Sequence, residues 1–363
     1  MALCKSCGKE HRLIAEYPGY CKECIVKKFN RIKENIKKLH EETRKYFNLP
    51  LNIPKEKSGK ICSQCVNDCR IKNKGYCGLI RIENGKIKRF EEATYLDFYL
   101  DPLPTNCVSS WVCAAEGHGY PEYSYTPGPE YGYKNLAVFF RNCTFNCLYC
   151  QNWHFKEEPK TIYSVKSLVD AIDEKTSCIC YFGGDPTPSI NFALKVSEEI
   201  FRKLNRIFRI CWETNGSASR AYVKRMFEFS LESGGILKID FKAVTPSLHY
   251  ALCGVSNKNT LENIEYGAEF LNKRKKIPIL VLSTLLVPGY IDEEEIKRMA
   301  RFISKISRKI PWSLLAFYPT FYMKDLPRTS LYHAQRALEI AKEYGIENVK
   351  IGNIHLLSND YTI

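Results

Sequence analysis

The chain has 363 residues, 45% of them hydrophobic and 26% charged, which is the composition of a soluble globular protein with one main domain and one or two small ones. No run of about 18 uninterrupted apolar residues occurs, which excludes a membrane span, and the polar start MALCKSCGKEHR is unlike a signal peptide, so we expect a cytoplasmic protein. The formal net charge of +14 would be lower if some cysteines bind metal as thiolates. The remaining positive charge is compatible with binding of RNA, with anionic substrates, or with neither.

Residues 1–50 begin with two cysteine pairs, Cys4 with Cys7 and Cys21 with Cys24. In a large chain without a secretion signal, clustered cysteines indicate metal binding rather than disulfides. Four thiolates in two pairs of this spacing predict a structural zinc ribbon. An amphipathic helix is expected over residues 25–47, with a basic face formed by Lys27, Lys28, Lys37, Lys38, Arg44 and Lys45.

A second cysteine-rich unit is expected over residues 58–133. It contains Cys62, Cys65, Cys69 and Cys77, which fit zinc or an auxiliary iron–sulfur cluster, with iron–sulfur preferred. The segment after it predicts a β-hairpin that turns at Asn84-Gly85. Residues 101–133, rich in Pro, Gly and Tyr, are interpreted as an irregular connector near the active site. Its Cys107 and Cys113 could serve as metal ligands, take part in the chemistry, or be buried as small hydrophobic side chains.

Residues 134–363 alternate apolar runs of strand length with segments of helical period. Strands are expected at 136–141, 178–182, 207–212, 236–241, 279–286 and 313–318, and helices near 164–175, 189–204, 217–232, 259–274, 292–308 and 330–344. This alternation predicts an α/β fold, a partial (β/α)6 barrel with small N-terminal cysteine-rich metal-binding domains. Four further cysteines in or beside these elements are expected to be buried small side chains, namely Cys178, Cys180, Cys211 and Cys253.

The loop after the first of these strands carries Cys143, Cys147 and Cys150. Three thiolates can hold three irons of a [4Fe–4S] cluster and leave the fourth iron open. An open coordination position is typical of a catalytic metal site. A zinc loop and half of a ferredoxin site are the alternatives.

Polar residues also follow the next strands, at what would be their carboxyl ends. They are Gly183-Gly184-Asp185, then Glu213 and Asn215, and then Lys242. Paired glycines let a ligand approach the backbone closely, and Asp185 can accept from an ammonium group. Barrel folds place their sites at these strand ends. A helix cap for Asn215 and a salt bridge for Lys242 are the alternatives.

These motifs resemble the radical S-adenosylmethionine (SAM) superfamily, in the branch of uncharacterised relatives of pyruvate formate-lyase activating enzyme. The resemblance rests on the C-x3-C-x2-C loop, GGDPTP, ETNG, the Asp-x-Lys strand end and the Cys62–Cys77 preamble. It implies that the open iron chelates SAM and that Tyr149 contacts its adenine. Glu213 and Asn215 would lie near the methionine and ribose, and Lys242 near the carboxylate or the substrate.

The resemblance implies an enzyme that cleaves SAM reductively to make a 5′-deoxyadenosyl radical, with an external one-electron donor of ferredoxin or flavodoxin type. We expect a protein or peptide substrate. The alternatives are a radical SAM enzyme that modifies tRNA, served by the ribbon and the basic helix face, and a non-catalytic iron–sulfur carrier. Residues 117–133 are the expected cover of the site.

Overall fold

The N-terminal ribbon is the first feature of this computed structural model, which describes residues 2–105, 107–157 and 161–362. Strands β1 (Ala2–Leu3) and β2 (Glu10–His11) pair antiparallel. The expected helix over 25–47 is two helices, α1 (Lys22–Lys27) and α2 (Phe29–Lys45), which meet at Lys28. Arg44 is buried, not part of a basic face: its guanidinium donates to the Pro50 and Tyr76 carbonyls and stacks on the Tyr76 ring.

The second cysteine-rich unit contains two short antiparallel hairpins. One pairs β3 (Lys60–Cys62) with β4 (Cys69–Ile71), and the other pairs β5 (Arg81–Glu83) with β6 (Lys86–Lys88). Asn84 and Gly85 have φ values of 50° and 69°, the positive values that a two-residue hairpin turn requires at both positions. The hairpin at Asn84-Gly85 is therefore confirmed.

The central sheet has nine strands among the described residues, in the order β15-β14-β13-β12-β11-β10-β8-β7-β9. Seven of them run parallel, namely β8 (Lys134–Phe140), β10 (Thr176–Gly183), β11 (Arg209–Thr214), β12 (Leu237–Asp240), β13 (Leu280–Leu286), β14 (Trp312–Ala316) and β15 (Val349–Gly352). At one edge β7 (Ala93–Pro102) and β9 (Ile162–Ser164) are antiparallel. The predicted α/β class is confirmed, with the sheet open between β15 and β9.

Helices connect the parallel strands, as the alternating pattern predicted. They are α3 (Val165–Asp170), α4 (Ile190–Lys203), α5 (Arg220–Ser233), α6 (Pro246–Cys253), α7 (Lys258–Gly267), α8 (Glu293–Ile306) and α9 (Leu331–Glu343). The strands are almost fully buried, and their Val, Ile and Leu side chains form one core with the apolar faces of these helices. Burial on both faces explains why the strand sequences are continuously apolar.

The connector at 117–133 does not cover the site, which corrects that expectation. Its Glu130 lies at the amino ends of the strands, where it forms a two-pronged ion pair with Arg209 of β11 (Nη1–Oε1 2.8 Å, Nη2–Oε2 2.5 Å) and accepts from Ser177 of β10. Both charged side chains are fully buried. A buried carboxylate needs such a partner, and the pair fixes this segment beneath the barrel.

Candidate active site

A cavity of about 360 Å³ lies at the carboxyl ends of the parallel strands. The sequence-predicted residues of the main site all line it: Cys143, Cys147, Tyr149, Cys150, Gly183, Gly184, Asp185, Glu213, Asn215 and Lys242. They come from the loops after β8, β10, β11 and β12. Because these strands are parallel neighbours, residues far apart in sequence meet at one edge of the sheet.

The cysteine loop is held by backbone and side-chain bonds. The backbone N–H groups of Asn146 and Leu148 donate to the carbonyls of Cys253 and Leu252 at the end of α6 (both 2.9 Å). Asn146 also contacts His40 of α2 through its side-chain amide (3.0 Å) and accepts from the Lys156 ammonium (2.6 Å). The loop is therefore held between α6 and α2 by the protein's own hydrogen bonds.

The paired glycines bring the end of β10 against the backbone that leads into the cysteine loop. A Cβ at Gly183 would overlap the Phe140 backbone, and one at Gly184 would overlap the Asn142 carbonyl. Gly183 also has a φ of +97°, which disfavours any side chain. The close contact that these glycines permit is therefore with the protein's own backbone, at Phe140 and at Asn142, just before Cys143.

Asp185 connects two strand ends rather than presenting a free carboxylate. Its oxygens accept from the Thr187 N–H (3.1 Å), the Thr214 hydroxyl (2.7 Å) and the Asn215 N–H (2.9 Å). The Asn215 amide in turn donates to the Thr144 hydroxyl (2.8 Å) and lies 3.6 Å from Cys143 Sγ. The two residues form a relay that positions the first cysteine of the loop.

Two ion pairs lie at the cavity, Lys242 with Asp240 (3.1 Å) and Lys238 with Glu213. Lys242, Asp240 and Glu213 line the cavity, whereas Lys238 does not. Burial raises the pKa of Asp240, but the neighbouring Lys242 and Lys238 ammonium groups outweigh it and hold that pKa at about 2. Burial lowers the pKa of Lys242, yet Asp240 outweighs it and leaves that pKa above its ordinary value. Both groups are therefore charged, and the salt-bridge alternative for Lys242 describes its contact.

Several cavity residues were missed by the sequence analysis. Tyr99 of β7 stacks on Phe139, which stacks on Phe182, with ring centroids 5.6 and 5.4 Å apart. Their strands alternate in the ordinary way, so the sequence gives no signal for this aromatic wall. Asn353, after β15, also lines the cavity, whereas His355 is exposed.

A model of the radical SAM superfamily matches residues 137–303, the segment that carries the cysteine loop and the strands behind the cavity. The predicted resemblance to this superfamily is confirmed over that segment. The chain is 24% identical to Uncharacterized protein MJ0808 of Methanocaldococcus jannaschii over 81% of each chain. Pyruvate formate-lyase 1-activating enzyme of Escherichia coli K12 is 29% identical over 44% of this chain and 64% of its own length, which is under two thirds.

Solved structures were compared as well. A domain of pyruvate-formate lyase-activating enzyme from Bacteroides vulgatus aligns with a TM-score of 0.39 and 22% identity, over 48% of this chain and 98% of that one. The radical SAM fold implies a [4Fe–4S] cluster and SAM, and the chemistry of this cavity fits them. Cys143, Cys147 and Cys150 line it. Their three sulfurs do not all lie within 4.8 Å of one another, which is the spacing that a single small ion would require.

The second cysteine set packs directly behind the radical SAM loop. The Asn67 amide donates to the Thr144 carbonyl (2.9 Å), and the Asn142 amide donates to the Cys77 carbonyl (3.1 Å). Burial raises the pKa of Cys65, and the thiols of Cys77, Cys69 and Cys62 raise it further, so the four cysteines are neighbours. Like the radical SAM cysteines, these four do not have all sulfurs within 4.8 Å of one another.

The N-terminal ribbon, by contrast, is spaced for a single ion. The sulfurs of Cys4, Cys7, Cys21 and Cys24 all lie within 4.8 Å of one another, and those of Cys7 and Cys21 are 3.9 Å apart. Zn–S bonds of about 2.3 Å in a tetrahedron place sulfurs about 3.8 Å apart. The ribbon can therefore bind a metal, with a geometry that suits zinc.

The ribbon is docked on the barrel. The Ala15 N–H donates to the Tyr290 hydroxyl (3.0 Å), which donates to the Tyr20 carbonyl (3.1 Å), and Tyr17 packs on Tyr322.

Among the described residues no helix is both long enough and apolar enough to cross a bilayer.

Proposed function

We propose that this radical SAM protein cleaves S-adenosylmethionine reductively at a [4Fe–4S] cluster ligated by Cys143, Cys147 and Cys150, and acts on a protein or peptide. When bound, this pair of groups supplies a 5′-deoxyadenosyl radical that abstracts hydrogen from an unreactive C–H bond. The observation that carries the proposal is that the three cysteines and the expected SAM-binding residues line one cavity.

The residues around the cavity have separate roles in this proposal. Asp185 and Asn215 position the Cys143 side of the loop through the contacts described above. Lys242 offers a positive charge near Cys147, suited to a carboxylate. The aromatic wall of Tyr99, Phe139 and Phe182 gives one side of the cavity a surface that suits a flat or apolar group.

A protein or peptide substrate is supported by the relatives. The Escherichia coli protein is named for the activation of another enzyme. An external one-electron donor is required, because the proposed cleavage consumes one electron that the chain itself does not supply. The Cys62, Cys65, Cys69 and Cys77 set, packed behind the loop, is positioned for a cluster that passes electrons.

The test compares anaerobically reconstituted wild type with Cys143→Ala/Cys147→Ala/Cys150→Ala. With dithionite and SAM, the wild type should form 5′-deoxyadenosine and the triple variant none. The variant should lose about four irons and keep its other metal. Equal iron in both proteins, or a wild type that forms no 5′-deoxyadenosine, would contradict the proposal, and the second result would favour a non-catalytic carrier.

RNA modification is the second candidate, and one observation favours it. Lys27, Lys28, Lys38 and Lys45 are exposed along α1 and α2 and add positive charge to the surface of the N-terminal helices. Binding of tRNA should then weaken steeply between 50 and 200 mM salt. Weak binding that is insensitive to salt would exclude it.

A further inference from the structure

A second, smaller cavity lies inside the barrel, between the main cavity and the connector that closes the amino ends of the strands. Its volume is about 40 Å³. Five of the chain's cysteines line it: Cys107 and Cys113 from the connector, Cys178 and Cys180 from β10, and Cys211 from β11. Simple burial was expected for the three strand cysteines, but burial does not require five thiols to converge on one space.

The strand register brings these thiols together. Cys180 is the direct neighbour of Cys211 on the adjacent parallel strand, and Cys178 lies two residues earlier on the same face of β10. The Cys180 thiol therefore lies beside both of these sulfurs, and all three line the cavity. Cys107 and Cys113 approach the same space from the connector, and Cys107 Sγ accepts from the Ser109 N–H (3.4 Å).

Unpartnered donors surround the thiols. Ser109, Asn135 and Trp212 line the cavity, and each has one buried polar atom without a hydrogen-bond partner among the described residues: the Ser109 hydroxyl, the Asn135 amide nitrogen and the Trp212 indole nitrogen. All three can donate. Such groups are costly to bury without an acceptor, and thiolate and inorganic sulfide are acceptors.

The charge at this cavity also suits an anionic occupant. The Lys238 ammonium lines it, and the Arg209 guanidinium lies close enough to Cys178 and Cys113 to interact with them. Both cations are almost fully buried and paired with one carboxylate each. Positive charge is therefore close to the sulfurs, and each cation already has a carboxylate partner.

We propose that this cavity holds an iron–sulfur cluster of the two-iron class, ligated by Cys107, Cys113, Cys180 and Cys211. Four cysteines are the usual ligands of such a cluster. Cys178 is not included among the ligands because its thiol already donates to the side-chain amide oxygen of Asn135 (3.5 Å).

The size and spacing favour this occupant over zinc. About 40 Å³ accommodates roughly three water molecules, which is comparable to a four-atom Fe2S2 core. No three of these sulfurs lie within 4.8 Å of one another, whereas the N-terminal ribbon meets that limit. The cluster would lie next to the main cavity, since Thr105, Cys107, Phe182 and Glu213 line both.

The test counts iron and labile sulfide in the full-length protein after anaerobic reconstitution. Cys107→Ala/Cys113→Ala should bind about two irons and two sulfides fewer than wild type. The matched control is Cys178→Ala, in the same cavity but outside the ligand set, which should bind as much iron as wild type. Equal iron in wild type and the double variant, or an equal loss in Cys178→Ala, overturns the proposal.

Two further measurements keep the result clear. An iron anomalous map of the reconstituted wild-type crystal should show a peak among these four sulfurs, and an empty cavity there overturns the proposal even if the double variant fails to fold. Formation of 5′-deoxyadenosine is measured in parallel. Its absence with iron present in this cavity would count against the proposed function alone.

Discussion

Cys253, the last residue of α6, contacts two residues of the candidate site. The neighbouring Cys253 thiol lowers the pKa of Cys147 to about 7, and the Cys253 sulfur lies 3.8 Å from the Tyr149 hydroxyl. Sequence analysis treated it as a buried small side chain. A hydrogen bond to a ligand sulfur is one of the factors that set the reduction potential of a cluster.

We therefore expect Cys253→Ala to make the potential of the radical SAM cluster more negative, because Cys147 loses its donor. Cys253→Ser keeps a donor and should stay closer to wild type. A redox titration monitored by electron paramagnetic resonance on the reconstituted proteins measures this. Identical potentials for the Ala and Ser variants, at equal iron content, would show that the donor has no effect.

His40 connects the N-terminal helix to the cysteine loop. Its ring contacts the Ala251 carbonyl (3.1 Å) and the Asn146 amide (3.0 Å), and Gly254 packs against it. Burial, aided by the nearby Lys156 and Arg44 charges, lowers its pKa from the ordinary 6.5 to about 4. The folded protein thus keeps this histidine neutral at pH values where the unfolded chain protonates it.

The expected consequence is a loss of stability as the pH falls from about 6.5 towards 4, since only the unfolded state gains a proton in that range. Between pH 7.5 and 5.5 the share of His40 is on the order of 1 kcal/mol. His40→Asn should be less stable at pH 7.5 but lose less on acidification. Denaturant midpoints at the two pH values measure this, with exposed His154→Gln as the control. Equal pH dependence in His40→Asn and wild type would refute the assignment.

At the residue scale the sequence predicted residues that converge in space, and their role as a site stays a prediction. The ten predicted residues share one cavity because each follows the end of a parallel strand, a relation that spacing alone reveals. Their contacts could not be predicted. That Asp185 binds Thr187, Thr214 and Asn215, or that the glycines face the backbone before Cys143, depends on how three loops pack in space.

At the scale of elements, the loop between β13 and α8 is the seat of the ribbon. Gly289 in that loop has a φ of +76°, and a Cβ there would overlap the Leu13 carbonyl. Gly85, in the β5–β6 turn, has a similar φ of +69° but no neighbouring atom within 4 Å of a Cβ. Both glycines have a positive φ that disfavours any other residue, and they differ in whether a Cβ would meet a neighbouring atom.

Gly289→Ala should therefore displace the ribbon, and Gly85→Ala should not. Both variants should lose about 1 kcal/mol from the positive φ, with a further loss in Gly289→Ala alone. Hydrogen exchange of residues 2–24 is the measurement, and it should rise only in Gly289→Ala. Equal exchange in the two variants would mean that the ribbon does not depend on this contact.

The buried pair between Glu130 and Arg209 fixes the connector beneath the barrel. Burial raises the pKa of Glu130, but the bonds from Arg209 outweigh it and leave the pKa below its usual value. Glu130→Ala should cost about 3–5 kcal/mol, because it leaves a buried guanidinium without its partner. Glu199→Ala removes the exposed partner of Arg202 and should cause no measurable change. Similar denaturant midpoints for the two variants would contradict the buried role.

The regular elements were predictable and the irregular ones were not. All six predicted strands occur, because a parallel strand buried on both faces is a continuous apolar run. β7 was missed because its polar and aromatic residues alternate beside a hairpin, and β15 because four residues are too few for a pattern. The connector has no periodicity, so its place at the amino ends of the strands was hidden.

For the whole molecule, we expect metal binding to divide the chain into a part whose folding needs it and a part whose folding does not. The ribbon has few buried apolar residues of its own, whereas the sheet and its helices share one large core. Removing zinc with a chelator should unfold residues 2–24 and leave the sheet intact, which hydrogen exchange with and without chelator can measure. Retention of protection in the ribbon after zinc loss would show that docking alone maintains it.

The segment held by Glu130 closes one end of the barrel and leaves the other end open. Among the described residues, 117–133 closes the amino ends of the strands, so the main cavity is entered from the carboxyl ends. A polypeptide therefore cannot be threaded through the protein. The proposed polypeptide substrate would have to present a projecting loop or a chain end at the rim and withdraw by the same path, so product release and entry of the next substrate would share one opening.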